Sequence, residues 1–204
     1  MCYYSTSHVF ISIAESLRNS LDNKEFGCGI FIDLKKAFDT VNHSILLSKL
    51  DHYGIRGSVN TWFQSYLSNR TQFVTVNGHN STSLPITCMV PQGSVLGPLL
   101  FLLYINDLPT TSKLLKFNLF ADVTNIYISS KNLEYLQKTI NNELKLMSEW
   151  FKSNRFALNI QKTNVILFHS KQLKSYQSFI IKSDNKIIKQ INSIKYLGVT
   201  FDSN

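Results

Sequence analysis

Two aspartates stand where acidic side chains can hold a divalent cation. Asp33 ends a short Ile30-Phe31-Ile32 run, and Asp122 falls between the apolar residues of 115–121 and the Ile126-Tyr127-Ile128 run. Mg2+ prefers hard oxygen ligands and usually takes one or two carboxylates, with substrate phosphates completing its shell. Two such ions about 3.5–4 Å apart stabilise the attacking and leaving oxygens of an in-line phosphoryl transfer. That chemistry needs carboxylates at strand ends, held rigidly near one another. Taken singly, a strand-end aspartate is an ordinary turn residue. The residues around the pair must therefore decide between the two readings.

The elements that would position them follow from periodicity. Apolar spacing over 8–21 predicts an amphipathic helix. A break at Gly27 and Gly29 precedes the strand Ile30–Ile32. Residues 42–51 suit a helix capped by Asn42 and stopped by Gly54. A second helix over 58–68 carries Val59, Trp62, Phe63, Tyr66 and Leu67 as a core-facing stripe. Asn77-Gly78 is a strong hairpin signal, with a return strand running to about Val90. Pro91–Ser94 reads as a loop, and Pro98 opens a buried apolar helix. Residues 114–129 form a second hairpin with Asp122 at its turn. Asn132 caps a long helix to about Asn154 whose inner face is Leu133, Leu136, Ile140, Leu144, Met147 and Phe151. Short strands complete the chain at 156–160, 165–168, 179–181, 187–191 and 196–201. Hairpins outnumber strand–helix–strand crossovers, which predicts an α+β fold with a mainly antiparallel sheet.

Composition narrows the classes. The 204 residues are 44% hydrophobic and 17% charged, with only 8 glycines and 4 prolines, so one folded unit without a linker is expected. A net charge of +8 suits a polyanionic partner or a solvated basic surface. The densest basic stretch is Lys171 to Lys195. Cys2, Cys28 and Cys88 form neither a disulfide framework nor a zinc pattern, and read as buried small hydrophobes in a reducing compartment. Leu99 to Ile105, the longest apolar run, is too short to span a bilayer. Nothing at the start resembles a secretion signal, so an intracellular location, cytoplasmic or nuclear, is expected.

The motif wording is more specific. Phe31-Ile-Asp-Leu-Lys-Lys-Ala-Phe-Asp-Thr-Val-Asn-His43 resembles motif A of LINE-type reverse transcriptases. Val90-Pro-Gln-Gly-Ser-Val-Leu-Gly-Pro-Leu-Leu-Phe101 resembles their motif B, and Phe120-Ala-Asp-Val-Thr-Asn-Ile126 their motif C. Leu158-Asn-Ile-Gln-Lys-Thr163 is similar to motif D and Tyr196-Leu-Gly-Val199 to motif E. Five motifs in order identify the chain as resembling the reverse transcriptase of non-LTR retrotransposons, with a jockey-like and CR-like flavour.

That resemblance implies a palm with partial fingers and no thumb. It makes 1–204 a single domain, with fingers at about 1–28 and 52–90 interleaved with palm at about 29–51 and 91–204. It implies RNA-directed DNA polymerase activity with an RNA template, a DNA primer and deoxynucleoside triphosphates as partners. Asp33 and Asp122 would hold two Mg2+ ions. Phe38 would be the steric gate under the sugar, or else a core phenylalanine. Gln92 and Gly93 would lie along the template and incoming base, where glycine permits close approach. Lys162 would serve the leaving pyrophosphate, or else be a solvated lysine. Tyr196, Leu197 and Gly198 would form the primer grip. Asp39 is read as structural. The family continues upstream into further fingers and downstream into a thumb, both expected outside this chain.

One departure bears on activity. Motif C ordinarily carries two adjacent acids, and here Val123 follows Asp122. Valine offers no oxygen, so the resemblance implies an impaired catalytic centre. A decayed copy accounts for the change, since one base separates the two codons. The alternative is a non-catalytic palm remnant that binds nucleic acid.

Overall fold

A computed structural model describes residues 6–91, 93–120, 123–170 and 179–203. Helix α1 (Thr6–Asp22) and strand β1 (Phe26–Ile32) come first, followed by α2 (His43–His52) and α3 (Ser58–Leu67). Four two-residue strands follow: β2 (Thr71–Gln72), β3 (Thr75–Val76), β4 (His79–Asn80) and β5 (Leu84–Pro85). Next are α4 (Leu96–Ile105) and a 3-10 turn over Leu108–Thr111. Strands β6 (Lys116–Phe120) and β7 (Val123–Ser130) lead into α5 (Leu133–Ser153). The last elements are β8 (Asn164–Phe168), β9 (Lys182–Ser183), β10 (Lys186–Ile187), β11 (Lys189–Gln190), β12 (Ser193–Tyr196) and β13 (Val199–Asp202). This is an α+β fold. Its contacts fall into two compact units, one of Met1–Lys35, Asp107–Ser153 and Ala157–Asn204, the other of Lys36–Asn106 with Asn154–Phe156.

The first unit is built on a sheet of order β11-β8-β1-β7-β6. β1 is central and runs antiparallel to both neighbours, with Phe31 opposite Asn125 and Ile30 opposite Val165. The one parallel pair of this sheet is β11 with β8. Strand side chains alternate between faces. On one face Phe31, Tyr127, Ile166 and Phe168 pack with Val9 and Ile13 of α1 and with Tyr196 and Phe201 of the β12–β13 hairpin. The residues between them, such as Ile30, Ile126 and Val165, face the other way and are also buried. α5 covers that second face with Leu136, Ile140, Leu144, Met147 and Phe151, all buried. Asn132 caps α5, accepting from the Tyr135 amide at 2.9 Å.

β1 starts at Phe26 and runs through both glycines that the sequence suggested as a break. The cause lies across the sheet. A Cβ on Gly27 would fall on the Tyr127 hydroxyl, and one on Gly29 would sit 3.1 Å from the Phe168 ring. The glycines make room for aromatic rings, and the Tyr127 hydroxyl pairs with Ser20 Oγ at 2.5 Å. Residues 156–160 do not form the expected strand. They keep only the isolated bridge of Leu158 with Leu34 before turning at Asn159. The segment 196–201 is a hairpin rather than one strand, and 179–181 carries no strand.

In the second unit α2 is capped by Asn42, which accepts from the Ile45 amide at 3.1 Å. The expected stripe on α3 is only half right. Phe63 and Leu67 are buried, whereas Trp62 is 52% exposed and stacks on Tyr66 at 12° between ring planes. The Asn77-Gly78 hairpin forms with both residues at positive φ, 49° and 79°, the geometry that joins Val76 to His79. Its return strand does not reach Val90: it is split into β4, which pairs with β3, and β5, which pairs with β2, and the last bond of that ladder runs from the Ile86 amide to the Arg70 carbonyl at 2.8 Å. On α4, Leu100, Phe101, Tyr104 and Ile105 are buried, while Leu99 is exposed. Cys28 is buried as expected, but Cys88 is exposed.

Candidate active site

Asp33 follows the last residue of the central strand, at the end where Ile32 pairs with Thr124 of β7. Its surroundings tie it down on three sides. The Asn159 amide nitrogen donates to Asp33 Oδ2 at 2.9 Å. The Asn159 backbone N–H donates to the Asp33 carbonyl at 2.9 Å. The Asp33 N–H donates to Thr163 Oγ1 at 3.4 Å, and Thr163 is fully buried. The next amide but one, that of Lys35, donates to the Ala157 carbonyl at 2.9 Å. Asp33 as a whole is half-buried.

Lys162 sits on the turn that makes this clamp. The amides of Lys162 and Thr163 both donate to the Asn159 carbonyl, at 3.1 and 2.8 Å, which closes residues 159–163 into a single helical turn. The Lys162 side chain is exposed. The motif wording assigns a role to the lysine and none to Asn159 or Thr163. Their signal was present only in the spacing of an amide and a hydroxyl four residues apart.

Val123 opens β7 and is partly buried, packed against the aromatic cluster that holds Phe31, Tyr127 and Tyr196. Leu197 packs against the same cluster. Tyr196 and Val199 face each other across the two-residue turn Leu197-Gly198, both at positive φ, 48° and 94°. Leucine at such an angle is strained, whereas glycine is not. The Tyr196 ring meets Phe31 edge-on at 5.0 Å, two residues from Asp33. Burial pushes the Tyr196 phenol up, and its hydroxyl has no hydrogen-bond partner among the described residues. The first unit thus gathers Asp33, the turn bearing Lys162, Val123 and the Tyr196–Gly198 turn around one sheet end and one aromatic cluster.

Phe38 lies in the second unit, partly buried, with its ring 4.6 Å from that of Phe101 on α4. Its carbonyl accepts from the Val90 amide at 3.1 Å, so the start of motif B is pinned to motif A. Gly93 is exposed with φ at 80°, a conformation suited to glycine. Ser94 Oγ donates to the Pro91 carbonyl at 2.7 Å and accepts from the Gly97 amide at 3.0 Å. A Cβ at Gly97 would lie 2.9 Å from the Pro91 carbonyl, so only glycine lets the loop close on α4. A cleft of about 660 Å³ is lined by Lys36, Asp39, Gln72 and 85–89, with Pro91 at its end. Asp122 and Gln92 lie outside the described residues.

Comparison with known proteins gives the arrangement a family. Residues 5–201 match the family described as "Reverse transcriptase (RNA-dependent DNA polymerase)". The chain is 28% identical over 190 residues to the RNA-directed DNA polymerase from mobile element jockey of Drosophila melanogaster, covering 90% of this chain and 20% of that protein. It is 31% identical to the probable RNA-directed DNA polymerase from transposon BS of the same fly, covering 98% and 22%. The chain thus spans about a fifth of the length of the curated relatives it matches. Among solved structures it is similar to telomerase from Candida tropicalis, with a TM-score of 0.68 at 14% identity over 99% of this chain and 32% of that one. Telomerase from Candida albicans gives 0.65 at 14% identity, over 98% and 33%. These structures share the fold. Among the described residues no helix is long and apolar enough to cross a membrane. The chain belongs to the reverse transcriptase (RNA-dependent DNA polymerase) family.

Proposed function

We propose that this chain is the palm-centred part of an RNA-directed DNA polymerase that extends a DNA primer on an RNA template, impaired at its catalytic centre by Val123. The observation that carries the reading is the Asp33 carboxylate, at the end of the central strand, held in one orientation by Asn159. Residues 1–204 are read as one reverse transcriptase domain, fingers portions at about 1–28 and 52–90 with palm at about 29–51 and 91–204.

Mg2+ fits part of this donor set. Among the described residues no group of three or more His, Cys, Asp or Glu side chains could cage a metal. Mg2+ needs no such cage, because one or two carboxylates and substrate phosphates suffice. Asp33, with Asp122, would hold the ions, which when bound would supply positive charge for the primer 3′-hydroxyl and the departing pyrophosphate. The residues do the positioning. Lys162, exposed on the turn clamped to Asp33, would pair with the leaving pyrophosphate. Phe38, braced by Phe101, would exclude a 2′-hydroxyl. Gln92 and Gly93 would lie along template and incoming base, and Tyr196, Leu197 and Gly198 would hold the primer end.

Val123 supplies no oxygen and packs instead against apolar rings. Losing about 4 kcal/mol of metal-derived stabilisation slows a step roughly a thousandfold. The test grafts residues 5–201 in place of the matching segment of the jockey polymerase and measures primer extension on an RNA template. Val123→Asp should raise extension by at least about a hundredfold, and Asp33→Ala should abolish the gain. Equal extension by the unsubstituted chimera and its Val123→Asp variant would sink the impairment reading.

The packing of Val123 also favours a second reading, a palm remnant that holds nucleic acid without chemistry, using the +8 charge. Its RNA affinity should fall steeply as salt rises. A flat response would remove it.

A further inference from the structure

The clamp on Asp33 goes beyond what the motif wording assigns. We infer that Asn159 is the positioning residue for the Asp33 carboxylate, and that the turn 159–163 couples the aim of that carboxylate to the placement of Lys162. The inference rests on the reading of Asp33 as a cation ligand.

An ionised carboxylate only accepts hydrogen bonds, so the atom of Asn159 facing Asp33 Oδ2 must be its NH2 group. That bond, at 2.9 Å, selects one rotation of the carboxylate about its last torsion. A carboxylate offers about four lone-pair directions. Asn159 engages one of them, leaving acceptor capacity on the group for a cation. Asn159 binds twice, since its backbone N–H also donates to the Asp33 carbonyl. Side chain and backbone therefore cannot shift separately. At the other end of the same turn, the buried Thr163 hydroxyl accepts from the Asp33 N–H. The turn is internally closed by the two bonds to the Asn159 carbonyl and extended by Asn164, whose side chain donates to the Lys162 carbonyl at 2.9 Å. Lys162 thus rides on a rigid turn fastened to Asp33 at both ends. A neutral donor suits this role better than a cation. An arginine or lysine in place of Asn159 would neutralise the charge that a metal needs, while asparagine orients it and leaves it intact.

The test is Mn2+ binding to the full chain, followed by the change in the Mn2+ electron paramagnetic resonance spectrum and run in parallel on the Val123→Asp chain. Asp33→Ala sets the baseline by removing the ligand. Asn159→Leu keeps the shape and removes the donor. It should weaken Mn2+ binding about tenfold, the order expected when a group that orients a metal ligand is lost. Asn159→Gln, which retains an amide donor, should recover part of that loss. Unfolding in EDTA is recorded for each variant, because a purely structural asparagine would lower stability without moving the Mn2+ affinity. Unchanged affinity in Asn159→Leu, alongside lost binding in Asp33→Ala, overturns the inference and leaves the Asp33 reading standing. Unchanged affinity in Asp33→Ala, or no Mn2+ binding by either chain, overturns the Asp33 reading and the inference with it. Should Asn159→Leu fail to fold, Thr163→Val releases the other end of the turn at nearly constant volume. It should weaken binding severalfold, and no change there also counts against the clamp.

Discussion

Replacing Val123 by aspartate sets two effects against each other, and their sizes can be worked out in advance. Val123 is partly buried against the cluster of Phe31, Tyr127 and Tyr196. Fully burying a valine side chain is worth roughly 1.5–3 kcal/mol, so a partly buried one contributes about 1 kcal/mol. Placing a carboxylate against the same rings adds a desolvation cost of about 1 kcal/mol. The variant should therefore lose about 2 kcal/mol in EDTA, which lowers Tm by roughly 4–8 °C for a chain of this size. A cation that binds only the folded chain returns RT ln(1 + [L]/Kd), or about 2.7 kcal/mol at a hundredfold excess over Kd. Differential scanning fluorimetry with and without Mg2+ reads both effects. The expected pattern is a gap between parent and variant in EDTA that closes or reverses in Mg2+. Val123→Asn separates the contributions, since it should show the gap and not the rescue. A gap that Mg2+ leaves untouched would refute the view that an acid at 123 completes a cation site. The absence of any gap in EDTA would refute the packing argument.

Two further predictions concern stability. Met89 sits at φ 84°, fixed there by its amide donating to the Val41 carbonyl at 2.8 Å and by His43 Nε2 donating to its carbonyl at 2.7 Å. Met89→Gly removes roughly 1–2 kcal/mol of left-handed strain against roughly 0.5–1 kcal/mol of added chain entropy and about 1 kcal/mol from the half-buried side chain, so the effects nearly cancel and the urea midpoint stays close to that of the parent at unchanged slope. A loss above about 2 kcal/mol contradicts it. Burial pushes the Tyr127 phenol from 10.0 up to about 12, against a lowering by the Ser20 hydrogen bond and with small raising contributions from Cys28 and Glu25. The folded state holds this proton more tightly than the unfolded one. Its contribution is thus complete below about pH 10 and lost as pH rises toward 12, by roughly 3 kcal/mol at most. Tyr127→Phe should cost about 1 kcal/mol at neutral pH, through the lost Ser20 bond, and make the alkaline decline shallower. An equally steep decline in urea titrations would count against it.

Local rules were sufficient where a segment's environment is set by its own residues. Asn42, Asn132 and Asn77-Gly78 are caps and a turn whose partners lie within a few residues, and each forms as its chemistry dictates. The long stripe of α5 was legible because one whole face of a 21-residue helix packs on a sheet. What could not be read depends on residues far along the chain. Gly27 and Gly29 looked like a break because nothing near them reveals the Tyr127 and Phe168 rings. The α3 stripe overstated burial because periodicity cannot separate a buried Phe63 from a Trp62 that stacks on Tyr66 at the surface. For the site, motif wording pointed to Asp33 and Lys162, but the hydrogen bonds that join them run through Asn159 and Thr163, more than a hundred residues from Asp33.

The order of strands in the sheet has a consequence for how the chain is made. β1 emerges from the ribosome early, yet both of its neighbours come much later: Ile32 waits for Thr124, and Gly27 waits for Phe168. At about 5–20 residues per second, a glycine-containing apolar strand spends several seconds with two open edges. Such edges pair readily with other chains. Aggregation should therefore compete with folding mainly during synthesis, and slow translation or crowded polysomes would penalise this topology more than modest heating of the finished protein.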